Sequence, residues 1–232
     1  EYIKLNNNVS WTIVDPIQND NYNFNITYIG QFFDQTFNHD CLIIDTIIHS
    51  HVFEHIYEPT KFLKHISEIL KHGQHLIFSI PNLEEQLKRN YTNVLNFEHT
   101  VFLTEPYVEY LLSIYGFEIL EKTFFKEDHS IWFACVKTTK VKTVFLPENL
   151  FDKNRKTFLE YITYITNLIH ELNCKTANVK NNIFIFGAHV FTQFLFSNGL
   201  QEKNITCILD NDVNKQNKRL SLVVLKGLHL RA

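Results

Sequence analysis

The chain has 232 residues, 45% of them hydrophobic and 20% charged, enough apolar content for one large or two small globular cores. Its net charge is −3 and the Lys and Arg residues are scattered, which leaves extended nucleic-acid binding without an electrostatic basis. No run approaches the roughly 20 apolar residues of a membrane span, no charged-then-apolar leader opens the chain, and Cys41, Cys135, Cys174 and Cys207 form no C-x-x-C pair, so the expectation is a cytoplasmic protein with free thiols and no bound metal. No methionine occurs.

In chain order, short apolar runs alternate with helical spacing, which predicts a mostly parallel sheet with crossover helices. The runs Trp11 to Asp15, Ile26 to Phe33, Leu42 to Ile48 and His75 to Ile80 have the Ile, Val and Phe content of strands buried on both faces. Between the last two, Phe62, Leu63, Ile66, Ile69 and Leu70 recur at helical spacing, with Pro59 at the start and Gly73 past the end, completing a β-α-β unit. After Pro106 a helix runs to Tyr115 and stops at Gly116. Phe117 to Phe125 and Ser130 to Val136 then read as an antiparallel pair closing the sheet. Residues 138 to 149 are polar, carry Pro147 and read as a linker. Beyond it, Phe158, Ile162, Ile165, Ile169 and Leu172 form the stripe of a long amphipathic helix. A strand at Ile183 to Phe186, a turn at Gly187, a helix ending at Gly199 and a strand at Ile205 to Leu209 make a second β-α-β unit, closed by Asp210.

Three stretches carry a family likeness: WTIVDP, CLIIDTIIHSHVFEHIYEP leading into the crossover helix, and LKHGQHLIFSIPN after it. In this order and spacing they resemble the later part of the class I S-adenosylmethionine-dependent methyltransferase fold. NFEHTVFLTE, with the appended IFIFGAHVF and ILDNDVNKQNKR, resembles more narrowly the sugar C-methyltransferases, which act on nucleotide-linked sugars. The implied fold class is α/β. A Rossmann-like methyltransferase sheet, mostly parallel with an antiparallel edge, would occupy residues 1 to 140, and a smaller C-terminal Rossmann-like domain residues 141 to 232.

The resemblance gives the site residues their expected roles. A carboxylate at the end of a parallel strand can accept two hydrogen bonds from a ribose diol, so Asp15 is expected to hold the cofactor ribose; the plain alternative is a turn acid before Pro16. Gln31, Phe32 and Phe33 are expected to end the next strand, with an aromatic face for the adenine and at least one phenylalanine in the core. His49, Ser50 and His51 would line the methionine end. His51 and His55 would share a helical face that excludes Glu54, with no third ligand to make a metal site.

Methyl transfer to a carbon or hydroxyl acceptor needs a proton acceptor, and a largely neutral histidine suits that task. The resemblance places it at His99 beside Glu98, with His129 and Ser130 as a second cluster; the plain alternative is a satisfied loop histidine. Departures from the family stand beside these matches. Its Gly-rich first strand and turn have no counterpart here, because residues 1 to 8 read as the end of a helix, and its N-terminal cysteine-rich zinc module is missing. The C-terminal unit has Gly187 but no G-x-G-x-x-G, so dinucleotide binding is not expected there. Asp210 and Asn211 would help form an acceptor cleft or cap a loop, and SLVVLKGLHLRA no longer follows the family pattern.

The expected function is methyl transfer from S-adenosylmethionine, leaving S-adenosylhomocysteine, to a small polar acceptor such as a nucleotide-linked sugar or other surface-polysaccharide precursor. Neither nucleic acid nor membrane is an expected partner, and a homodimer is an open alternative to the monomer. The competing expectation is a non-catalytic scaffold that keeps the fold or binds a nucleotide-sugar.

Overall fold

The computed structural model describes residues 9–17, 26–40, 42–92, 94–95, 98–126, 128–215 and 230–231. Cys41, the helix end expected before residue 9, Asn96 and Phe97 of the NFEHTVFLTE stretch, and most of the divergent tail lie outside the described residues. Contacts divide the chain into two units that interleave along the sequence. The first comprises Glu1–Ile80, Tyr107–Thr123 and Ile131–Phe145; the second comprises Pro81–Pro106, Phe124–Ser130 and Leu146–Ala232.

In the first unit, β1 (Trp11–Val14) and β2 (Ile26–Ile29) pair in parallel, with Trp11 opposite Ile26 and Val14 opposite Ile29. The second strand is shorter than its apolar run. Asp15 N–H donates to the Ile29 carbonyl at 3.1 Å and Gln31 N–H turns back onto the same oxygen at 2.9 Å, so Gln31, Phe32 and Phe33 follow the strand rather than end it. β3 (Thr46–Ser50) pairs in parallel with β4 (His75–Pro81). Its ladder opens where His75 N–H meets the Asp45 carbonyl at 3.0 Å, which leaves Leu42 to Asp45 outside the strand.

The crossover between β3 and β4 is α1 (Pro59–Ile69), which buries Phe62, Leu63, His65, Ile66 and Ile69. Proline suits its first position because that amide has no helical acceptor, and Gly73 follows at φ 85°. After α2, described below, α3 (Glu105–Ile114) leads into the hairpin of β5 (Phe117–Phe125) and β6 (Ser130–Lys137). Thr138 N–H to Gly116 O at 2.9 Å and His129 N–H to Phe125 O at 3.0 Å close the hairpin at its two ends. The order is β3-β4-β6-β5, an antiparallel edge on a parallel pair, while β1 and β2 form a two-stranded sheet of their own. Among the described residues no strand joins these two sheets, where the sequence predicts one continuous sheet. Phe53, Phe78 and Phe133 are almost fully buried, and the Phe78 and Phe133 rings stack at 5.1 Å.

The second unit is built on α2 (Leu83–Lys88), α4 (Leu150–Ala177), α5 (Val190–Ser197) and a parallel sheet in the order β7 (Phe184–Phe186), β8 (Cys207–Leu209), β9 (Leu230–Arg231). The short helix α2 has no apolar period long enough to announce it. Its Leu83 and Leu87 join Tyr161, Ile165 and Ile169 of α4 and Leu195, Phe196, Ile205 and Ile208 in one core. The α4 stripe differs from its sequence reading by one position: Ile162 is 48% exposed and Tyr161 is buried instead. Rotation by about 100° per residue puts Tyr161 in line with Ile165 and Ile169, and its hydroxyl donates to the Tyr91 carbonyl at 3.0 Å. No helix among the described residues is long and apolar enough to cross a membrane. Cys135, Cys174 and Cys207 are free thiols.

Candidate functional site

The residues that the sequence reading assigns to the cofactor lie at or just past the ends of parallel strands, all in the first unit. Asp15 is exposed just past β1, and its Oδ1 accepts the Ile17 N–H at 2.7 Å. The ribose-binding and turn-forming readings of this acid are therefore compatible, because only one carboxylate oxygen serves the turn. Gln31 is exposed and Phe32 is 71% exposed. Phe33 takes the core role, packing on Phe37, Phe62 and His65 at centroid distances of 5.2, 6.0 and 5.5 Å.

At the end of β3, the His49 ring stacks on Phe78 at 5.0 Å with Phe62 and Phe53 edge-on, and its Nδ1 is buried without a hydrogen-bond partner. Burial pushes its pKa down to about 4, against a smaller opposing effect of the Glu54 charge, so His49 is neutral at cellular pH. Ser50 Oγ lies 2.7 Å from Ser79 Oγ across the β3–β4 pair.

His51 corrects the helical reading of its segment. It leaves the strand at φ 51°, outside helical space, and only Phe53–His55 forms a short turn of 3-10 helix. Glu54, placed off the histidine face by helical spacing, lies 3.0 Å from His51 Nδ1 through its Oε1 and is 5% exposed. The left-handed backbone at His51 swings the ring toward its carboxylate; no periodicity in the sequence encodes such a turn.

The residues that the sequence reading assigns to the acceptor belong to the second unit. Glu98 is exposed, and the half-buried His99 ring lies 6.4 Å from Phe102, which meets Phe158 edge-on at 6.1 Å. His129 is exposed but firmly held. Its N–H donates to the Phe125 and Lys126 carbonyls at 3.0 and 3.1 Å, and its carbonyl accepts Asn82 N–H and Gln86 Nε2, each at 2.9 Å. Its Nδ1 is 2.8 Å from the hydroxyl of buried Ser130, and Tyr91 lies 6.0 Å from the ring. The buried Gln86 escaped the sequence reading because a glutamine on a short helix carries no motif.

Asp210 caps a loop. Its Oδ1 accepts Asp212 N–H at 2.8 Å and its Oδ2 accepts Ala188 N–H at 2.6 Å, and these two bonds hold the carboxyl below the usual carboxylate range. Asn211 beside it is exposed.

A family model described as a methyltransferase domain matches residues 6–122, half of the chain. The chain belongs to this methyltransferase family. Its described residues form an α/β architecture with parallel strand pairs and an antiparallel edge. Solved structures to which the chain is similar include magnesium protoporphyrin IX methyltransferase from Synechocystis PCC 6803 with bound S-adenosylhomocysteine, at 18% identity and TM-score 0.38, covering 51% of this chain and 54% of that one. The plantazolicin methyltransferase BpumL is 14% identical with TM-score 0.47, covering 59% of this chain and 70% of that one. The N-methyltransferase NodS from Bradyrhizobium japonicum is 12% identical with TM-score 0.39, covering 56% and 74%. This chain thus spans about half the length of the Synechocystis enzyme. No curated protein matches the sequence significantly.

Proposed function

We propose that this methyltransferase-family chain transfers a methyl group from S-adenosylmethionine to a small polar acceptor in the cytoplasm, with a nucleotide-linked sugar or related surface-polysaccharide precursor as the acceptor class. The observation that carries this reading is the exposed Asp15 carboxylate at the carboxyl end of a parallel strand, inside the segment that matches the methyltransferase family. Open α/β sheets bind their ligands outside those strand ends. Asp15 holds the ribose, Gln31 and Phe32 flank the adenine, and His49, Ser50 and His51 line the methionine end.

His99, with Glu98 and His129, serves the acceptor. The cofactor supplies an activated methyl group, and the protein's own part is to orient the acceptor and take its proton. As an organisational proposal, residues 1–140 are the catalytic core and residues 141–232 an appended domain, with 81–106 and 124–130 as the core segments that group with the appended domain.

Calorimetric titration with S-adenosylhomocysteine tests the cofactor half. Micromolar binding, about 8 kcal/mol, that is lost in Asp15→Ala supports it and justifies screening sugar nucleotides as acceptors. No binding by the folded native protein favours a methyltransferase-like scaffold instead.

A further inference from the structure

The segment that follows β2 is fastened to α1 by rings. Phe33 packs on Phe62 and His65 of that helix at 6.0 and 5.5 Å and on Phe37 at 5.2 Å, and Phe37 is buried. His39 meets the His65 ring at 6.2 Å, nearly perpendicular. Between these contacts the chain folds on itself. Asp34 Oδ1 accepts the Thr36 N–H at 2.8 Å, Phe37 N–H donates to the Asp34 carbonyl at 3.0 Å, and Leu42 N–H donates to the His39 carbonyl at 2.9 Å. Gln31 and Phe32 stand exposed at the head of this segment, so the fastening behind them limits where they can move.

His65 is the one titratable ring that α1 buries in this cluster. It is 8% exposed, and its Nε2 is buried without a hydrogen-bond partner. Such a ring is tolerated neutral; a second proton would bring a charge into an apolar pocket with no acceptor at that nitrogen. Burial, as the largest cause, holds its pKa below the ordinary 6.5, and the facing His39 acts in the same direction. Glu68 on the same helix and Asp34 on the segment oppose both as lesser effects; Glu68 is shared with Lys64 at 3.6 Å, and Asp34 with the Thr36 hydroxyl at 2.6 Å. His49, also packed on Phe62, stays neutral down to about 4 and does not titrate over the same range.

We propose that His65 is a positioning residue: its neutral ring clamps residues 31–40 to α1, and a proton taken up by that ring opens the clamp. Once released into water the ring regains an ordinary imidazole's affinity for a proton, so acid favours the open form. The clamp is therefore complete above about pH 6.5 and is lost as the pH falls through the lower value of the clamped ring. The consequence for a ligand rests on the cofactor reading above, in which Gln31 and Phe32 flank the adenine: opening the clamp releases the nucleoside.

The test follows the native full chain, His65→Phe and His39→Asn between about pH 8 and about pH 5. Amide hydrogen exchange at Phe37 and Leu42, expressed as protection against the intrinsic rate at each pH, reads the clamp without a ligand. Calorimetry with 5′-methylthioadenosine, which has no amino-acid part, reads its effect on the nucleoside. Native protection and nucleoside affinity should fall together on acidification, the affinity by up to about 10-fold per pH unit. His65→Phe, which keeps a ring in the pocket, should abolish both falls; His39→Asn, which removes the opposing imidazole, should move them to higher pH. Native protection or nucleoside affinity that does not change with pH overturns the proposal, as does a fall that persists unaltered in folded His65→Phe. Should that variant not fold, an unmoved profile in His39→Asn overturns it. Protection that behaves as expected in a protein binding no nucleoside supports the clamp and removes the cofactor reading, so the two failures are distinguishable.

Discussion

Asp15 leaves β1 with one carboxylate oxygen already accepting the Ile17 amide, so substitutions there can separate turn formation from ligand binding. Asp15→Asn retains an oxygen for the turn and loses the charge. It should weaken S-adenosylhomocysteine by roughly 10- to 100-fold, the scale of a lost charged hydrogen bond, while Asp15→Ala loses both functions; calorimetry beside a thermal melt distinguishes the two. For His99, replacement by Asn should lower turnover on a proton-bearing acceptor by about 100-fold or more and leave cofactor affinity nearly intact. Unchanged turnover would remove His99 from the reaction. Asp15 was singled out because it closes an apolar run, and His99 because it lies in the NFEHTVFLTE stretch that carries the resemblance. Glu54 was not, since its approach to His51 depends on one left-handed residue that breaks the helical spacing.

Gly116 shows how an element boundary depends on backbone freedom. It sits at φ 80° between α3 and β5, and a β-carbon there would lie 2.9 Å from Lys137 Nζ and 3.1 Å from the Thr138 carbonyl. Gly116→Ala should destabilise the first unit by about 1–2 kcal/mol or more, because left-handed strain and the backbone approach act together; urea unfolding measures it. In the second unit, Ile165 of α4 is 3% exposed within the core formed with α2, α5 and β8. Ile165→Ala should cost about 2–5 kcal/mol, whereas Ile162→Ala, on the exposed side, should be nearly neutral in the same assay. Equal losses at the two positions would contradict the rotation of the stripe onto Tyr161.

For the molecule as a whole, His49 links stability to pH. Its pKa is near 4 in the folded state against an ordinary 6.5, so between these values the unfolded chain binds the extra proton. Stability is therefore fully present above about pH 6.5 and falls as the pH is lowered toward 4, by at most about 3 kcal/mol from this residue. Burial lowers the pKa of His65 as its largest cause, which adds to the same trend. Urea unfolding at several pH values should show the slope, and His49→Phe, which keeps the ring stack, should reduce it. A native-like variant with an unchanged slope would assign the effect to other groups.

Apart from the short helix α2, the sequence by itself determined the main element types from Trp11 through the β5–β6 hairpin, and the β-α-β pattern of residues 183–210, because apolar periodicity, Pro59, Gly73 and Gly116 are local signals of local conformation. The tertiary structure decided where those elements stop, how they group and which side chains meet. β2 ends at Ile29 because its partner β1 ends there, although the apolar run continues. Residues 81–106 group with the C-terminal unit because Leu83, Leu87 and Val94 bury against α4 rather than against their chain neighbours. Pairing register and burial are properties of the partner surface, and a partner distant in sequence leaves no mark on the local pattern.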